Sequence, residues 1–499
     1  MATTYKEKAS LWAKRSIGFL KTLKSNRRGM LGIGIIVFFI GLAAFAPLLT
    51  QNDPVDDYFV ASDFAAPSWL RYFPGTQRLS ENSQLIANPG FATSSSVFEE
   101  WNFTKTTTSI YSVALQWRPD VGYPIGTGPG SAVVVFTRND TRRNAGGVTA
   151  RLTKEFYYPY QGPPGLFKCD IAFLAQGTQE VPVYIRVAIL RIEQSDTKSY
   201  TLWSTGKIET TSTELIIPRP ALDSYSSKEW VKHYFGAEIG LDPAKVIFSN
   251  QTNYILDITV LFKDDKTTSL GRSVEAKVYL DDIDLKLYGT AYGLLGTDHR
   301  GRDVFSQLVH GARISLFIGL LSAFISTVIG LFVGLISGYL GGTADELIMR
   351  FNDALLVLPG LPLLLVLAAV LGASIWNLII IIGILGWMGF ARQVRSQTLS
   401  LKERPFIEAA KSVGAGKLYI IRRHILPNVM SLVYVSLALS VPVAIVSEAA
   451  LSWLGLYDPF VMSWGRMLHD IEAPEGGGGA YITNWWWVLP PGLCIALIS

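Results

Sequence analysis

Few residues in this sequence are spaced for catalysis. The five histidines, His233, His299, His310, His424 and His469, are scattered along the chain. None forms the His-Glu-x-x-His pair that would bring two imidazoles to one helix face for zinc. Gly334–Gly338 (GLISG) lacks the spacing of a Gly-x-Ser-x-Gly nucleophile elbow. Gly414-Ala415-Gly416-Lys417 has the look of a phosphate loop, but Lys411 and Leu418 stand where a Walker A loop needs Gly and Ser or Thr. ATP binding by this chain is therefore excluded on spacing. Asp298, Arg300, Arg302 and Asp303 crowd the start of an apolar run and read as charges at the outer mouth or gate of a span. Glu448 lies inside another apolar run, where a carboxylate is costly and often functional. About 20 residues along a helix from Val429, it falls near the outer surface and reads either as a structural hydrogen-bonding group at the outer gate or as a substrate contact. Cys169 and Cys494 are too few for a zinc site or a disulfide framework, and no bridge is expected between them.

The elements that must position these residues are membrane helices. Hydrophobic residues make up 49% of the 499, charged residues only 17%, and mean hydropathy is +0.29. A soluble chain carries about 25% charged residues. Gly29–Thr50 is uncharged and long enough for a hydrocarbon core of about 30 Å. Similar runs follow at Ile314–Ser337, Ala354–Leu371, Ile375–Ala391 and Val429–Leu456. Trp485–Ser499 is short for a span and reads as a sixth helix that is incomplete here or continues further. The fold class expected is an α-helical polytopic membrane protein with six transmembrane helices.

Lys and Arg set the orientation. Residues 1–28 hold eight of them against Glu7 alone, and Arg392–Ile425 holds another eight against Glu403 and Glu408. The loop between the fifth and sixth spans has Arg466 against Asp458, Asp470, Glu472 and Glu475. Both basic segments, and so the N-terminus, are expected in the cytoplasm, and the acidic loop outside. Within the first, Lys6–Lys24 can form an amphipathic helix lying on anionic membrane lipid, with a disordered basic tail as the plain alternative.

Between the first two runs lies a segment far longer than a loop, so it must fold alone. Val183–Glu193 and Tyr254–Phe262 are rich in β-branched and aromatic residues, as strands are. Val274, Ala276, Val278 and Leu280 alternate, and Ile283, Leu285 and Leu287 continue on the opposite parity. That slip predicts a β-bulge at Asp281–Asp282. The expected arrangement is an extracytoplasmic all-β sandwich over 79–289. Trp101, Trp117, Tyr123, Tyr157, Tyr158, Tyr160 and Trp203 could offer sugar platforms, although strand aromatics more often belong to a core. Three Asn-x-Thr sequons, at Asn102, Asn139 and Asn250, permit glycosylation.

Two resemblances follow from particular motifs. Ile86–Phe91 (IANPGF) with Glu100–Trp101, and Tyr279–Tyr288 (YLDDIDLKLY), resemble the two ends of jelly-roll modules of the galactose-binding and carbohydrate-binding type. That likeness implies a docking, shielding or sugar-binding role, and a structural calcium with Asp282 as a possible ligand. Glu408–Asn428 (EAAKSVGAGKLYIIRRHILPN) is similar to the EAA loop of permease subunits of ATP-binding-cassette importers. Small residues at Ala409, Ala410, Gly414 and Gly416 suit close contact with another protein, Gly414 suits a left-handed helix end, and Pro427 suits the start of the next span. With Leu295–Gln307, Gly311–Leu316, Tyr339–Asp353, Glu448–Gly455 and Ser463–Met467, the chain resembles the C-type permease of the dipeptide, oligopeptide and nickel importer family.

The resemblance implies a chain that is not itself an enzyme and binds no cofactor, ATP and Mg residing on partners. Those partners would be a second homologous permease, two cytoplasmic ATPase subunits that Glu408, Ala409, Ala410, Gly414, Gly416 and Pro427 would contact, and an extracytoplasmic solute-binding protein. Nothing points to nucleic acid. The solute would be a peptide or similar oligomer, with an oligosaccharide as the alternative and a membrane-anchored carbohydrate-binding or adhesion protein as the weaker one. The expected organisation is a cytoplasmic basic segment 1–28, first helix 29–50, linker 51–78, β domain 79–289, outer pre-helix segment 290–313 and a five-helix core 314–499 with its coupling loop near 400–427.

Overall fold

The computed structural model describes residues 27–106, 110–122, 130–138, 147–177, 181–193, 196–208, 222–223, 242–263, 274–472 and 483–499. The basic segment before Arg27, with its expected interfacial helix, lies outside them, as do Tyr123, Asn139 and Glu475. The chain forms two compact units, one from Phe59 to Gly301, the other from the chain up to Tyr58 and from Arg302 onward.

The second of these is helical. Helix α1 is Arg27–Ala44, α2 Val304–Leu340, α3 Gly342–Val357, α4 Gly360–Leu371, α5 Ile375–Lys402, α6 Pro405–Ser412, α7 Lys417–Trp453, α8 Trp464–Glu472 and α9 Trp485–Ile498. Among the described residues α2, α5 and α7 are each long and apolar enough to cross a bilayer, and the pair α3–α4 is a fourth if it counts as one span. The apolar parts of α1 (Met30–Ala44) and α9 are shorter.

Helix α2 is the centre of this unit. Its start is capped by Asp303, whose carboxylate accepts from the Phe305 amide at 3.0 Å. Gly330, Gly334 and Gly338 repeat every four residues on one face, the spacing that lets two helix backbones approach. A Cβ added at Gly334 would lie 2.6 Å from the Ala391 carbonyl oxygen and 2.6 Å from Val394 Cβ, so this face of α2 lies against α5 with no room for a side chain. Ser337 and Arg395 both bond Asp345, Arg395 through two contacts of 2.6 Å, and this joins α3 to the same seam.

One expectation for the helices changes. The apolar run Ala354–Leu371 is not one straight helix, because α3 and α4 meet at 88°. Leu358 precedes Pro359 and is extended (φ −69°, ψ 136°), since the proline ring disfavours a helical residue before it. Pro427 stands in the first turn of the α-helical stretch Leu426–Trp453, as expected. A π turn at Ile421–Ile425 joins that stretch to Lys417–Ile420, so that α7 runs on without a break. Asp353 pairs with Arg392 at 2.5 Å, while Arg350 is held by Glu346 one turn away.

The other unit is a pair of antiparallel sheets around one core. Its strands are β1 Ser83–Gln84, β2 Asn102–Lys105, β3 Tyr111–Arg118, β4 Ser131–Arg138, β5 Gly147–Tyr157, β6 Leu166–Gln176, β7 Val183–Ile192, β8 Thr197–Ser204, β9 Leu222–Asp223, β10 Asn253–Lys263 and β11 Val274–Tyr288. One sheet runs β3-β4-β11-β6-β9, with β1 also on β11; the other runs β2-β5-β10-β7-β8. Inward positions alternate along each strand: Val148, Ala150 and Leu152 from β5 and Leu256, Ile258 and Val260 from β10 meet Val134, Phe136, Val278 and Leu280 of the facing sheet. The parity slip in β11 is a real register shift between Asp281 and Asp284, with Asp282 at φ +49°.

This unit is wider than 79–289 because its two chain ends zip together. Val60 donates to Gly301, Ser62 to Gly289, and Thr297 to Ala65. Ser62 and Thr297 side chains add further bonds, so residues 59–66 and 289–301 form one hydrogen-bonded strip. Most of the strand aromatics are core or half-buried. Trp101, Tyr158 and Trp203 are buried, Trp117 is tied to the Phe91 carbonyl, and Tyr157 alone of the described set is openly exposed. Both cysteines are free thiols, Cys169 in the sandwich core and Cys494 in α9.

Candidate functional site

The helix–turn between α5 and α7 carries Glu408, Ala409, Ala410, Gly414 and Gly416, while Pro427 lies within α7. Helix α6 starts with Pro405, holds Glu408 in its first turn, and stops at Val413. Its end is a Schellman closure: the Gly414 amide bonds the Lys411 carbonyl at 2.9 Å, and the Ala415 amide reaches back to Ala410 at 3.0 Å. Gly414 has φ +84°, the left-handed conformation its position demands. Gly416 then precedes the first turn of α7. Nothing lies within 4 Å of a Cβ placed on Gly414 or Gly416, so their smallness relieves no crowding inside this chain.

This turn has an apolar surface that the basic charge of the segment hides. Ile407 is fully buried and anchors α6, together with Ile420 and Ile425, against α2 and α5. Val413 and Leu418 are 89% and 77% exposed, and Tyr419 and Phe406 are exposed with them. Glu408 and Ala409 are also exposed. The residues that sequence reasoning passed over here are these four apolar ones. Their signal was available: large apolar side chains flanking Gly414 in a segment otherwise rich in Lys and Arg.

A second constellation forms where three separated motifs meet. Glu448 of α7 is buried, and one of its carboxyl oxygens accepts from both Ser452 and Ser463, each at 2.7 Å. Ser315 of α2 accepts from the Trp464 amide at 3.1 Å, and the Trp464 indole donates to Leu308 at 3.0 Å. Gly465 sits so close that a Cβ there would be 2.7 Å from Ala449 Cα and 3.1 Å from the Glu448 carboxylate. Glu448 therefore pins α7 to α8, with Ser315 of α2 bonding the same turn of α8. The serines and Gly465 were missed because hydroxyl partners 4 and 15 residues apart, on two elements, have no sequence period.

The charged residues before α2 divide by role. Arg302 is fully buried and donates to Asp470 of α8 at 2.7 Å. Asp303 caps α2 and also accepts from Asn52. Asp298 and Arg300 belong to the β unit, where the Asp298 carboxylate accepts from the Arg300 amide at 2.8 Å. Arg302 and Asp303 thus tie helices together.

The calcium expectation at Asp282 has weak chemical support. Among the described residues no group of three or more His, Cys, Asp or Glu is placed to hold a metal, and neighbouring Asp170 already pairs with Lys168 at 2.7 Å. Burial, and after it the Asp170 carboxylate, pushes Asp282 and Asp284 above the ordinary carboxylate range. Such groups bind protons more tightly folded than unfolded, so their stabilising share is complete below the unfolded pKa and lost as pH rises. These two groups should therefore contribute a fall in the unfolding temperature of the sandwich as pH rises above the ordinary Asp value. Asp282→Asn with Asp284→Asn should flatten that slope in a calorimetric pH series; an unchanged slope would remove these two carboxyls from the account. Asn102 and Asn250 are exposed, Asn102 in β2 and Asn250 in a turn before β10.

Helices of this length beside a separate β-rich unit define a helical membrane-type architecture. Residues 330–499 match the family described as binding-protein-dependent transport system inner membrane component, and residues 16–67 match the N-terminal TM domain of oligopeptide transport permease C. Among curated proteins, the chain is 42% identical over 208 residues to the oligopeptide transport system permease protein OppC of Haemophilus influenzae, covering 41% of this chain and 65% of that one. It is 40% identical to the dipeptide transport system permease protein DppC of Bacillus subtilis, covering 39% and 59%. It is 44% identical to the glutathione transport system permease protein GsiD of Escherichia coli, covering 40% and 66%. The likeness to C-type importer permeases read from the motifs is thus borne out. The chain spans less than two thirds of the length of each of these relatives. Solved structures give slighter likenesses: a MetNI methionine ABC transporter (19% identity, TM-score 0.30, 38% of this chain and 90% of that one) and a carbohydrate-binding module of the β-sandwich superfamily (13%, 0.24, 41% and 62%). Neither is close enough to bear on function.

Proposed function

We propose that this chain is a transmembrane subunit of an ATP-driven importer for peptides, paired with a second permease and resting on two cytoplasmic ATPases. The observation that carries the reading is the turn at Gly414: an exposed, Schellman-closed helix end presenting Val413, Leu418, Ala409 and Glu408, anchored by Ile407 to the spans. A surface of that shape buried in an ATPase groove would transmit its closure through α6 to α2 and α5. The basic rim of the segment would steer the encounter. Peptide as solute is supported by the relatives named for oligopeptide, dipeptide and glutathione transport.

In this reading α1, α2, the α3–α4 pair, α5, α7 and α9 are six spans in a cell or inner membrane, with the N-terminus and the α5–α7 turn cytoplasmic and the β unit outside, where a solute-binding protein docks. The positive charge of the segments 1–28 and 392–425 supports that orientation. ATP and Mg would sit on the partners. Purifying the tagged chain in mild detergent from its own cells tests the assembly: two ATPases and a second permease should co-purify, and recovery of the chain alone after crosslinking in intact membranes would count against it.

A further inference from the structure

The solvent face of the five-stranded sheet holds a cleft of about 560 Å³ whose walls come from β5, β10, β7 and β8. The registers place Thr104, Arg151, Thr259, Arg186 and Ser204 in a single row across all five strands. Arg151 and Arg186 stand on either side of β10, with Cα atoms two strand spacings apart, about 9.5 Å. Between them on β10 is Thr259, and two residues along, on the same face, is Asp257. Arg151 Nε donates to one of its carboxylate oxygens at 2.9 Å, and Arg186 Nη2 to the other at 3.3 Å. The Thr259 hydroxyl donates to the second oxygen at 3.1 Å.

The exposure is uneven in an informative way. The Asp257 side chain is 0% exposed, while those of Arg151 and Arg186 are 41% and 44% exposed. The carboxylate thus lies beneath two guanidinium groups, fixing them and leaving the rest of each fork turned toward the cleft. An arginine has five N–H donors, and among the described residues Arg151 spends one on Asp257 and Arg186 one. Two arginines over one aspartate leave a single net positive charge. An unpaired surplus of this kind, preset by a buried acid on rigid strands, is unlike a mobile surface ion pair.

From this row we infer that the cleft is a binding site for the carboxylate of a solute, held by Arg151 and Arg186 and flanked by hydroxyl groups of Thr149, Ser199 and Thr205. Guanidinium forks match a carboxylate in two-point geometry. The single surplus charge suits a monoanion better than a phosphate monoester, which is close to doubly charged at neutral pH. The apolar side chains of Leu190 and Leu261 supply the remaining wall for the body of the solute. The C-terminus of a short peptide and the acid group of a uronate sugar share this chemistry. The inference stands on the β unit alone and holds whether or not the helical unit is the importer proposed above.

The test is calorimetric titration of the purified full chain in detergent with acetyl-trialanine, its C-terminal amide, a galacturonate trimer, a neutral glucose trimer and inorganic phosphate. Saturable binding of at least one carboxylate probe is expected, with its uncharged counterpart at least tenfold weaker. Arg151→Gln should weaken that binding tenfold or more. Arg186→Lys keeps the charge beside Asp257, and so the fold, yet loses the fork and should weaken binding severalfold. Preference for acetyl-trialanine names a peptide end as the ligand; preference for the galacturonate trimer names an acidic sugar. The site is overturned if no carboxylate probe binds up to about 10 mM, if the amide and neutral sugar bind as well as the acids, if phosphate binds tighter than either, or if folded Arg186→Lys binds like wild type.

Discussion

Gly334→Leu should abolish recovery of the folded chain. The seam between α2 and α5 has no space at this point: a Cβ alone would meet the Ala391 carbonyl oxygen and the Val394 side chain at 2.6 Å. The obstacle is backbone on a helix that is itself held by Arg395 and Asp345, so neither partner can swing aside. Gly330 and Gly338 abut the same helix, where an added Cβ would lie 2.9 Å from the carbonyl oxygens of Trp387 and Arg395, and a local shift at Gly334 would therefore open the whole seam. Overpacking of this kind costs about 3 kcal/mol or more, and separating the helices forfeits the packing that holds them together in lipid. Size-exclusion of a fluorescently tagged chain in detergent reads the outcome directly. Gly34→Leu in α1, where a Cβ meets nothing within 4 Å, is the matched control and should elute as wild type. A monodisperse Gly334→Leu peak of normal height would mean that the close approach of α2 and α5 is not required.

Gly414→Val should leave that peak intact and cut uptake tenfold or more. The left-handed φ of +84° costs a branched residue about 1–2 kcal/mol, a local strain at an exposed turn that folding of the large unit can absorb. Its side chain would point into open space. Whatever the added bulk disturbs must therefore be another protein. Gly414→Asn separates the two causes, because asparagine tolerates the left-handed region while still projecting a side chain. Equal loss in both variants, at equal amounts of folded chain, places the defect in contact with the ATPase; loss confined to valine places it in the turn. Normal uptake in both would remove this turn from coupling.

Local features of the sequence carried a long way. Uncharged runs located the helices, the parity slip at Asp281–Asp282 located the bulge, and the glycine six residues after Glu408 located a left-handed helix end. What escaped were features set by partners distant in sequence. Asp353 has Arg350 three residues before it, yet its partner is Arg392, because α3 runs beside α5. Pro427 does open an α-helical stretch, but the π turn that links it back to Lys417 has no one-dimensional signal. Pro359 lies inside Ala354–Leu371, an apolar run defined by its lack of charge, a criterion that takes no account of a proline. The Arg151–Thr259–Arg186 row beside Asp257 needs two strand pairings at once, and nothing in the individual strands announces them.

Reconstituted transport tests the central claim most directly. Proteoliposomes containing this chain, its companion permease and the ATPases, with the solute-binding protein added outside, should accumulate labelled oligopeptide only with ATP enclosed, and peptide should raise ATPase activity. Accumulation should vanish when the chain is omitted and fall with Gly414→Val at equal assembly. Peptide uptake of the same rate without this chain, or a complete complex whose ATPase activity and uptake respond to no peptide while responding to an oligosaccharide, would contradict the account.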